Sequence, residues 1–334
     1  MRPFKFTTAT NAAKALQLID TNANSRFLAG GTNIIDLMKE GVTNPDELID
    51  ISKLELTQIK AITSGSLIGG ISLGALAKNT ATANHPLVRQ SYPLLSQAIL
   101  AGASVQLRNM ASNGGNLMQR TRCQYFYDIN MPCNKREPGT GCGAMEGFNR
   151  MHAIFGWSEK CIAVYPSDMA IALAALDAVV KVQQANGTSR SIAFSDFHRL
   201  PGEHPELDNT LQHNELITSI EIPRNSFAAH SHYLKVRDRA SYAFALVSVA
   251  AALEVNGNTI TKAQIALGGV AHKPWRATEA EQFLVGKEAN TANFERAANA
   301  AMDNAKPFEH NKFKVELGKK SIARTLQIAM DGKR

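Results

Sequence analysis

The chain has 334 residues, 44% of them hydrophobic, which is enough to build a core without the disulfide staples that small secreted domains need. Its formal charge is +7, but Lys and Arg are spread along the chain and no aromatic-basic recognition motif occurs, so no nucleic acid is expected as a partner. The longest apolar stretch, Tyr242 to Leu253, is interrupted by Ser248 and too short to span a bilayer, so no membrane association is expected.

The amino terminus, MRPFKFTTATNAAKALQLI, has no long apolar run behind its first basic residue and reads as neither signal nor anchor. Thr10 or Asn11 caps a helix whose inward positions are Ala12, Ala13, Leu16 and Ile19. A strand over Arg26 to Ala29 runs through Gly30-Gly31-Thr32-Asn33 into a helix over Ile34 to Lys39. Strand, glycine turn and helix start together form an anion site, because backbone N–H groups and the helix dipole converge there; a glycine pair alone is more often only a turn. Pro45 to Ser52 returns as a strand and completes a β-α-β layer of about fifty residues. A further strand begins at Leu67 and passes into a helix near Leu73. Leu94 to Arg108 reads as one long helix with Leu95, Ala98, Ile99 and Val105 inward. It delivers a second glycine pair, Gly114-Gly115, flanked by Ser112 and Asn116. Neither glycine loop is G-x-G-x-x-G and no G-x-x-x-x-G-K-[ST] occurs, so a Rossmann or P-loop site is not supported.

All four cysteines, Cys123, Cys133, Cys142 and Cys161, fall in the next segment, separated by nine, eight and eighteen residues. Four thiolates can close on zinc, on an iron–sulfur cluster or as two disulfides, or stay as separate buried thiols. Zinc is the weaker metal reading, since no short C-x₂₋₄-C pair is present. Pro132, Pro138, Gly139 and Gly141 make the loop irregular, and such a loop needs something to organise it. Gly141 and Gly143 leave room around Cys142, and Lys135 and Arg136 bring charge that favours thiolates. Beyond the PSD triplet, Met169 to Val180 is apolar almost throughout. Asn186-Gly187 marks a hairpin, and strands over Ser191 to Ala193 and Glu215 to Ile222 close the unit before Pro223. A second module follows, with strands over His232 to Arg237, Phe244 to Val255 and Ala263 to Gly268, an Asn256-Gly257 turn, and then helices. His230 and His232 read as an exposed pair on one strand face, His152 as a neighbour of the cysteine site, and Trp275 as a packing residue. No paired carboxylates announce a hydrolase.

FLAGGTNIIDLMK, QLRNMASNGGNL, PSDMAIALAALDA, KVRDRASYAFALVSVAAAL and IALGGVAHKPWRA resemble the flavin-binding subunits of the xanthine dehydrogenase and molybdenum hydroxylase family over nearly the whole chain. RTRC-x-YFYD, PCNKR, the GC pair and SEKC are most similar to its branch of bacterial periplasmic aldehyde oxidoreductases. The resemblance implies an α+β fold: a two-subdomain FAD-binding domain of the PCMH (vanillyl-alcohol-oxidase-like) type over 1–226, divided at 56/57, then a smaller CO dehydrogenase flavoprotein-type domain over 227–334. It implies that Phe27, Leu28, Ala29, Gly30, Gly31, Thr32, Asn33 and Ile34 wrap the FAD pyrophosphate. Gly102 and Ala103 would line the flavin edge, with Ser112, Gly115, Asn116 and Met118 continuing around the cofactor. Asp168 would bond the ribityl or adenosine portion, and Lys235, or alternatively Arg237, would lie near the ring. An insertion over about 120–161, absent from most of the family, implies a [4Fe–4S] cluster on Cys123, Cys133, Cys142 and Cys161.

The function so implied is electron transfer within a molybdenum-dependent aldehyde oxidoreductase: from a [2Fe–2S] small subunit to FAD and on to an external acceptor, while a molybdenum-cofactor large subunit oxidises the aldehyde. Protein groups position the cofactors, and no residue is assigned as catalytic acid or base. The alternatives are the flavin subunit of a xanthine dehydrogenase or hydroxybenzoyl-CoA reductase type enzyme, a self-sufficient flavoprotein oxidase, and a metal-binding scaffold without enzymatic activity. Compartment stays open between the cytoplasm and the periplasm reached by co-export with a signal-bearing partner.

Overall fold

The computed structural model describes residues 1–332, which build three sheets with helices between and around them, an α+β arrangement as expected. The first sheet is parallel, in the order β1 (Lys5–Thr8), β3 (Glu47–Asp50), β2 (Ser25–Leu28). Helices α1 (Ala12–Asp20) and α2 (Ile34–Lys39) supply the crossovers. Asn11 starts α1 by accepting from the Lys14 N–H at 2.8 Å. Ala15, Leu16 and Ile19 form its buried face, whereas Ala13, expected inward, is exposed. β1 is mostly exposed and carries no alternating pattern, so periodicity does not reveal it.

The second sheet is antiparallel, ordered β4 (Ile59–Ala61), β5 (Ile71–Gly74), β8 (Glu215–Ile222), β6 (Val179–Gln184), β7 (Ser189–Ala193), with the short α10 (Phe194–Phe197) after β7. Leu67 to Gly70 is the turn of the β4–β5 hairpin and not the start of a strand. The following helix, α3 (Asn79–Asn84), begins six residues later than Leu73. α4 (Pro86–Ser91) and α5 (Pro93–Ala101) follow, each with proline in its first turn, where its missing N–H costs nothing. The long helix expected over Leu94 to Arg108 is two helices. The chain turns at Gly102-Ala103, with Ala103 at φ +50°, and Ser104 recaps α6 (Val105–Met110) by accepting from Leu107 N–H at 3.2 Å. Val105, expected inward, is therefore 57% exposed. Ser112 then caps α7 (Asn113–Leu117).

The third sheet runs β12 (Trp275–Arg276), β11 (Thr259–Gly268), β10 (Val247–Asn256), β9 (Ser231–Val236), all antiparallel. Both of its faces are covered. Tyr233, Ala250, Ala252 and Ala266 join the core around α9 (Asp168–Ala175), while Val249, Ala251, Leu253, Ile265 and Leu267 pack beneath α11 (Thr278–Leu284), α12 (Thr291–Met302) and α13 (Phe313–Asp331). That is why β10 is apolar on both faces from Val249 to Leu253 although it is an antiparallel strand. α9 is apolar all round for the same reason, enclosed between α5 and the third sheet. No helix among the described residues is long and apolar enough to cross a membrane.

Candidate functional site

The two glycine loops meet backbone to backbone. A Cβ on Gly30 would stand 2.1 Å from the Met110 carbonyl oxygen, so only glycine allows the 28–34 loop to lie on the 110–118 loop. Gly31 adopts φ +73°, which turns the chain into α2. Behind them, Lys78 Nζ donates to Met110 O at 2.9 Å, Gly114 N–H to Ala75 O at 2.7 Å, and Asn113 to Gly74 O and Thr82 Oγ1. Ser112 Oγ accepts from Gly115 N–H, and Asn116 donates to Asn79 Oδ1 at 2.8 Å and accepts from Ser167. Phe27, Leu28, Ala29, Gly30, Gly31, Thr32, Asn33 and Ile34 all remain half-buried along one open edge. Asn33 Oδ1 accepts from Arg120 N–H at 2.9 Å, but its Nδ2 is buried with no partner. Met110 and Met118 are 53% and 42% exposed at the same edge. A polar donor without a partner, close-packed glycines and exposed apolar side chains suit a cofactor with a charged linker and a flat ring.

Gly102 and Asp168 also touch, since a Cβ on Gly102 would lie 3.1 Å from Asp168 Oδ2. The Asp168 carboxylate is held within the protein: Oδ2 by Lys235 Nζ at 2.8 Å and Oδ1 by the Tyr233 hydroxyl at 2.6 Å. Lys235 also reaches Ala101 O at 3.1 Å, a carbonyl that Arg237 approaches at 3.3 Å, so Lys235 is the cation that meets Asp168. Burial, and then the adjacent Asp168 charge, push the Tyr233 hydroxyl well above its ordinary pKa, so it stays a donor. Tyr233 escapes sequence reading because it looks like any β-strand aromatic. Beside Asp168 opens a cavity of about 210 Å³, lined by Tyr165, Ser167, Ser248, Phe148 and Phe244, and on its far wall by Cys123 and His152.

The cysteine segment is irregular apart from α8 (Gln124–Tyr127), as its prolines and glycines imply. Cys133 and Cys142 face each other across an antiparallel bridge, flanked by Asn134 N–H to Gly141 O at 2.7 Å and Gly143 N–H to Pro132 O at 2.9 Å. The Asn134 side chain accepts from both Gly139 and Gly141 N–H, and Gly141 takes φ +98°. Cys161 follows a tight turn with Ser158, and its sulfur accepts from Ala163 N–H at 3.4 Å. Cys123 lies with its Sγ 3.1 Å from His152 Nε2, the contact expected for that histidine. All four are free thiols that line one small cavity together with Tyr125, Phe126, Ala144 and Ala163. Burial pushes the Cys123 and Cys161 thiols up to about 12, an effect that Lys135 partly opposes at Cys161. Among the described residues no three His, Cys, Asp or Glu side chains are grouped to hold a single metal ion.

The two basic loop residues differ in role. Lys135 is buried, its Nζ donating to Asp208 Oδ1 and Pro205 O, both at 2.6 Å, while Arg120 Nε donates to Asp208 Oδ2 at 2.7 Å. Arg136 instead ties the carbonyls of Tyr125 and Phe126, each at 2.9 Å, and bears on backbone rather than on sulfur. Arg122 pairs with Asp36 of α2 at 2.9 Å, and Arg150 with Asp238 at 2.8 Å. Ile154 N–H donates to Val270 O, and Trp157 Nε1 to Lys306 O. The segment is thus fastened to the glycine cradle and to the third-sheet module. Trp275 stacks on Phe155 at 4.9 Å, a packing residue as expected. His230 lies outside β9 with Nδ1 near the Ala329 and Met330 carbonyls, so it does not share a strand face with His232.

Two family models match: the FAD binding domain in molybdopterin dehydrogenase over residues 2–225, and the CO dehydrogenase flavoprotein C-terminal domain over residues 232–329. The chain is 46% identical to the aldehyde oxidoreductase FAD-binding subunit PaoB of Escherichia coli (strain K12), covering 98% of this chain and 99% of that protein. It is 30% identical to the glyceraldehyde dehydrogenase medium chain of Sulfolobus acidocaldarius, covering 86% and 83%. Carbon monoxide dehydrogenase from Hydrogenophaga pseudoflava superposes with a TM-score of 0.76 at 23% identity, covering 99% of both chains, and so shares the fold. From the cradle, the sheet arrangement and these matches together, the chain belongs to the FAD-binding medium subunits of the molybdenum hydroxylase family.

Proposed function

We propose that this chain is the electron-transfer subunit of a molybdenum-dependent aldehyde oxidoreductase, carrying FAD and a [4Fe–4S] cluster. It receives electrons from a [2Fe–2S] small subunit, whose partner large subunit oxidises the aldehyde, and passes them to an external acceptor. The observation that carries the reading is the 46% identity, spread over 98% of the chain, to a protein named as an aldehyde oxidoreductase FAD-binding subunit. We divide the chain at 226/227, with subdomains meeting at 56/57 and an insertion over about 120–161.

In this reading Phe27 to Ile34 and Ser112, Gly115, Asn116 and Met118 enclose the FAD, with Asn33 Nδ2 as a donor to it. Gly102, Ala103 and Lys235 border the ring, and Asp168 faces the ribityl or adenosine portion. Tyr233 and Lys235 keep the Asp168 carboxylate fixed, so the charge it turns to the cofactor is set by the protein. Cys123, Cys133, Cys142 and Cys161, which line one small cavity, would hold the cluster. Four thiols on one cavity are the donor set such a cluster takes, while among the described residues no three ligating side chains are grouped for a single ion. Ala163 N–H, already aimed at Cys161 sulfur, would steady the thiolate. When bound, FAD supplies exchange between two-electron and one-electron carriers, and the cluster supplies one-electron carriage.

The test is an anaerobic visible spectrum with iron, zinc and flavin quantified per chain. One FAD and about four irons are expected. Flavin without iron would sink the cluster assignment, and zinc without flavin would overturn the function.

A further inference from the structure

His152 stands against a cysteine sulfur and has no task in the electron-transfer reading. It is 4% exposed, with Nε2 3.1 Å from Cys123 Sγ and Nδ1 buried without a partner. Once Cys123 is the thiolate of the proposed cluster, that arrangement selects one tautomer of the neutral ring. A proton on Nδ1 would leave a buried donor unmet and turn the Nε2 lone pair toward the sulfur lone pairs, two unfavourable terms at once. A proton on Nε2 removes both, leaving only an unfilled acceptor at Nδ1. The backbone that carries the ring is held on several sides. The His152 carbonyl accepts from Lys314 Nζ at 2.9 Å and Asn311 Nδ2 at 3.2 Å, its N–H donates to Asn149 O at 3.0 Å, and Tyr125 packs beside the imidazole with ring centroids 6.1 Å apart. Lys314 also bonds Gly269 O at 2.7 Å, so α13 and the third sheet hold the residue from behind.

Resting on the cluster reading of the four cysteines, we infer that His152 is a positioning residue that donates its Nε2–H to the Cys123 sulfur and thereby holds the reduction potential of the iron–sulfur site above the value its thiolates alone would give. The couple is a one-electron exchange in which the site gains an electron and no bond forms or breaks. The added negative charge is shared by the sulfurs, so a fixed donor stabilises the reduced form more than the oxidised one. Of the four cysteines Cys123 alone also lines the cavity beside Asp168, so His152 acts on the sulfur nearest that cavity's wall.

The experiment compares the full-length chain with His152→Leu, which keeps bulk and drops the donor, and His152→Gln, which keeps a side-chain N–H. Iron per chain and an anaerobic redox titration followed by electron paramagnetic resonance are read on each. The expected result is wild-type iron content in all three, a potential shifted to more negative values in the Leu variant, and a return toward wild type in the Gln variant. An unchanged potential in the Leu variant overturns the inference, as does loss of iron from both folded variants, which would make His152 a ligand or a structural support. A second readout needs no variant to fold: nitrogen-15 spectra of the oxidised, iron-loaded wild-type chain should show His152 protonated at Nε2, and protonation at Nδ1 would overturn the inference. If the wild-type chain holds no iron, the cluster reading itself fails, and that is known before any variant is made.

Discussion

Asp208 holds two cations of the cysteine segment at once, Lys135 through Oδ1 and Arg120 through Oδ2. Burial alone would raise its pKa, but the Lys135 and Arg120 charges outweigh burial and hold the carboxyl well below the usual carboxylate range. Asp208→Asn leaves the Lys135 ammonium, 1% exposed, without its counter-charge, and should cost about 3 kcal/mol, the lower end for a broken buried pair. Because the folded-state value is depressed, the contribution is fully present above the unfolded value of about 3.9 and is lost as pH falls through the lower folded value. Urea unfolding of both proteins from pH 7 to pH 3 should show a constant gap above about pH 5 that narrows below it; a gap independent of pH over that range would refute the pairing. Lys135 is visible in the sequence as a basic loop residue, but its partner is 73 positions away and nothing in local pattern links them. The same holds for Tyr233 and Asp168, 65 positions apart. Cys123 to Cys161 are the opposite case, because a rare residue type confined to one segment reports its own association.

At the scale of elements, the hairpin over 133–142 sets two cysteines opposite each other, and Gly141 is its critical turn. At φ +98° a side chain is strained even though the nearest atom to an added Cβ, Pro132 Cβ, is 3.8 Å away. Gly141→Ala should therefore cost about 1–3 kcal/mol through backbone strain alone, and should lower iron per chain because Cys142 is displaced. Chemical denaturation and metal analysis measure the two effects; full stability with full iron would show that the hairpin adapts. The glycines and prolines of this loop made its irregularity legible, as did the strand-turn-helix at 25–39. The division between α5 and α6 was not legible in the same way. Apolar spacing runs on through Ala101 and Val105, and a helical period does not reveal an alanine forced to φ +50°. The break sits where Gly102 is extended beside Asp168, a long-range neighbour that local spacing does not report.

For the whole molecule, the third sheet explains why the alternation expected of an antiparallel strand is missing from Val247 to Leu253: two cores claim its two faces. The presence of β10 and β11 followed from their composition and the Asn256-Gly257 turn, whereas their double burial required the positions of α9 and α13. The cysteine segment adds a third tie, since it reaches Asp36 through Arg122 and Asp238, Val270 and Lys306 through Arg150, Ile154 and Trp157. The covalent connection from Pro223 to His230, with Arg224, Ser226 and Ala229 exposed, is therefore only one strap among several. A protease that nicks it should yield two fragments that elute together on gel filtration and part only in denaturant; separation in native buffer would mean that the chain itself, and not the shared core and its cysteine clasp, keeps the halves in register.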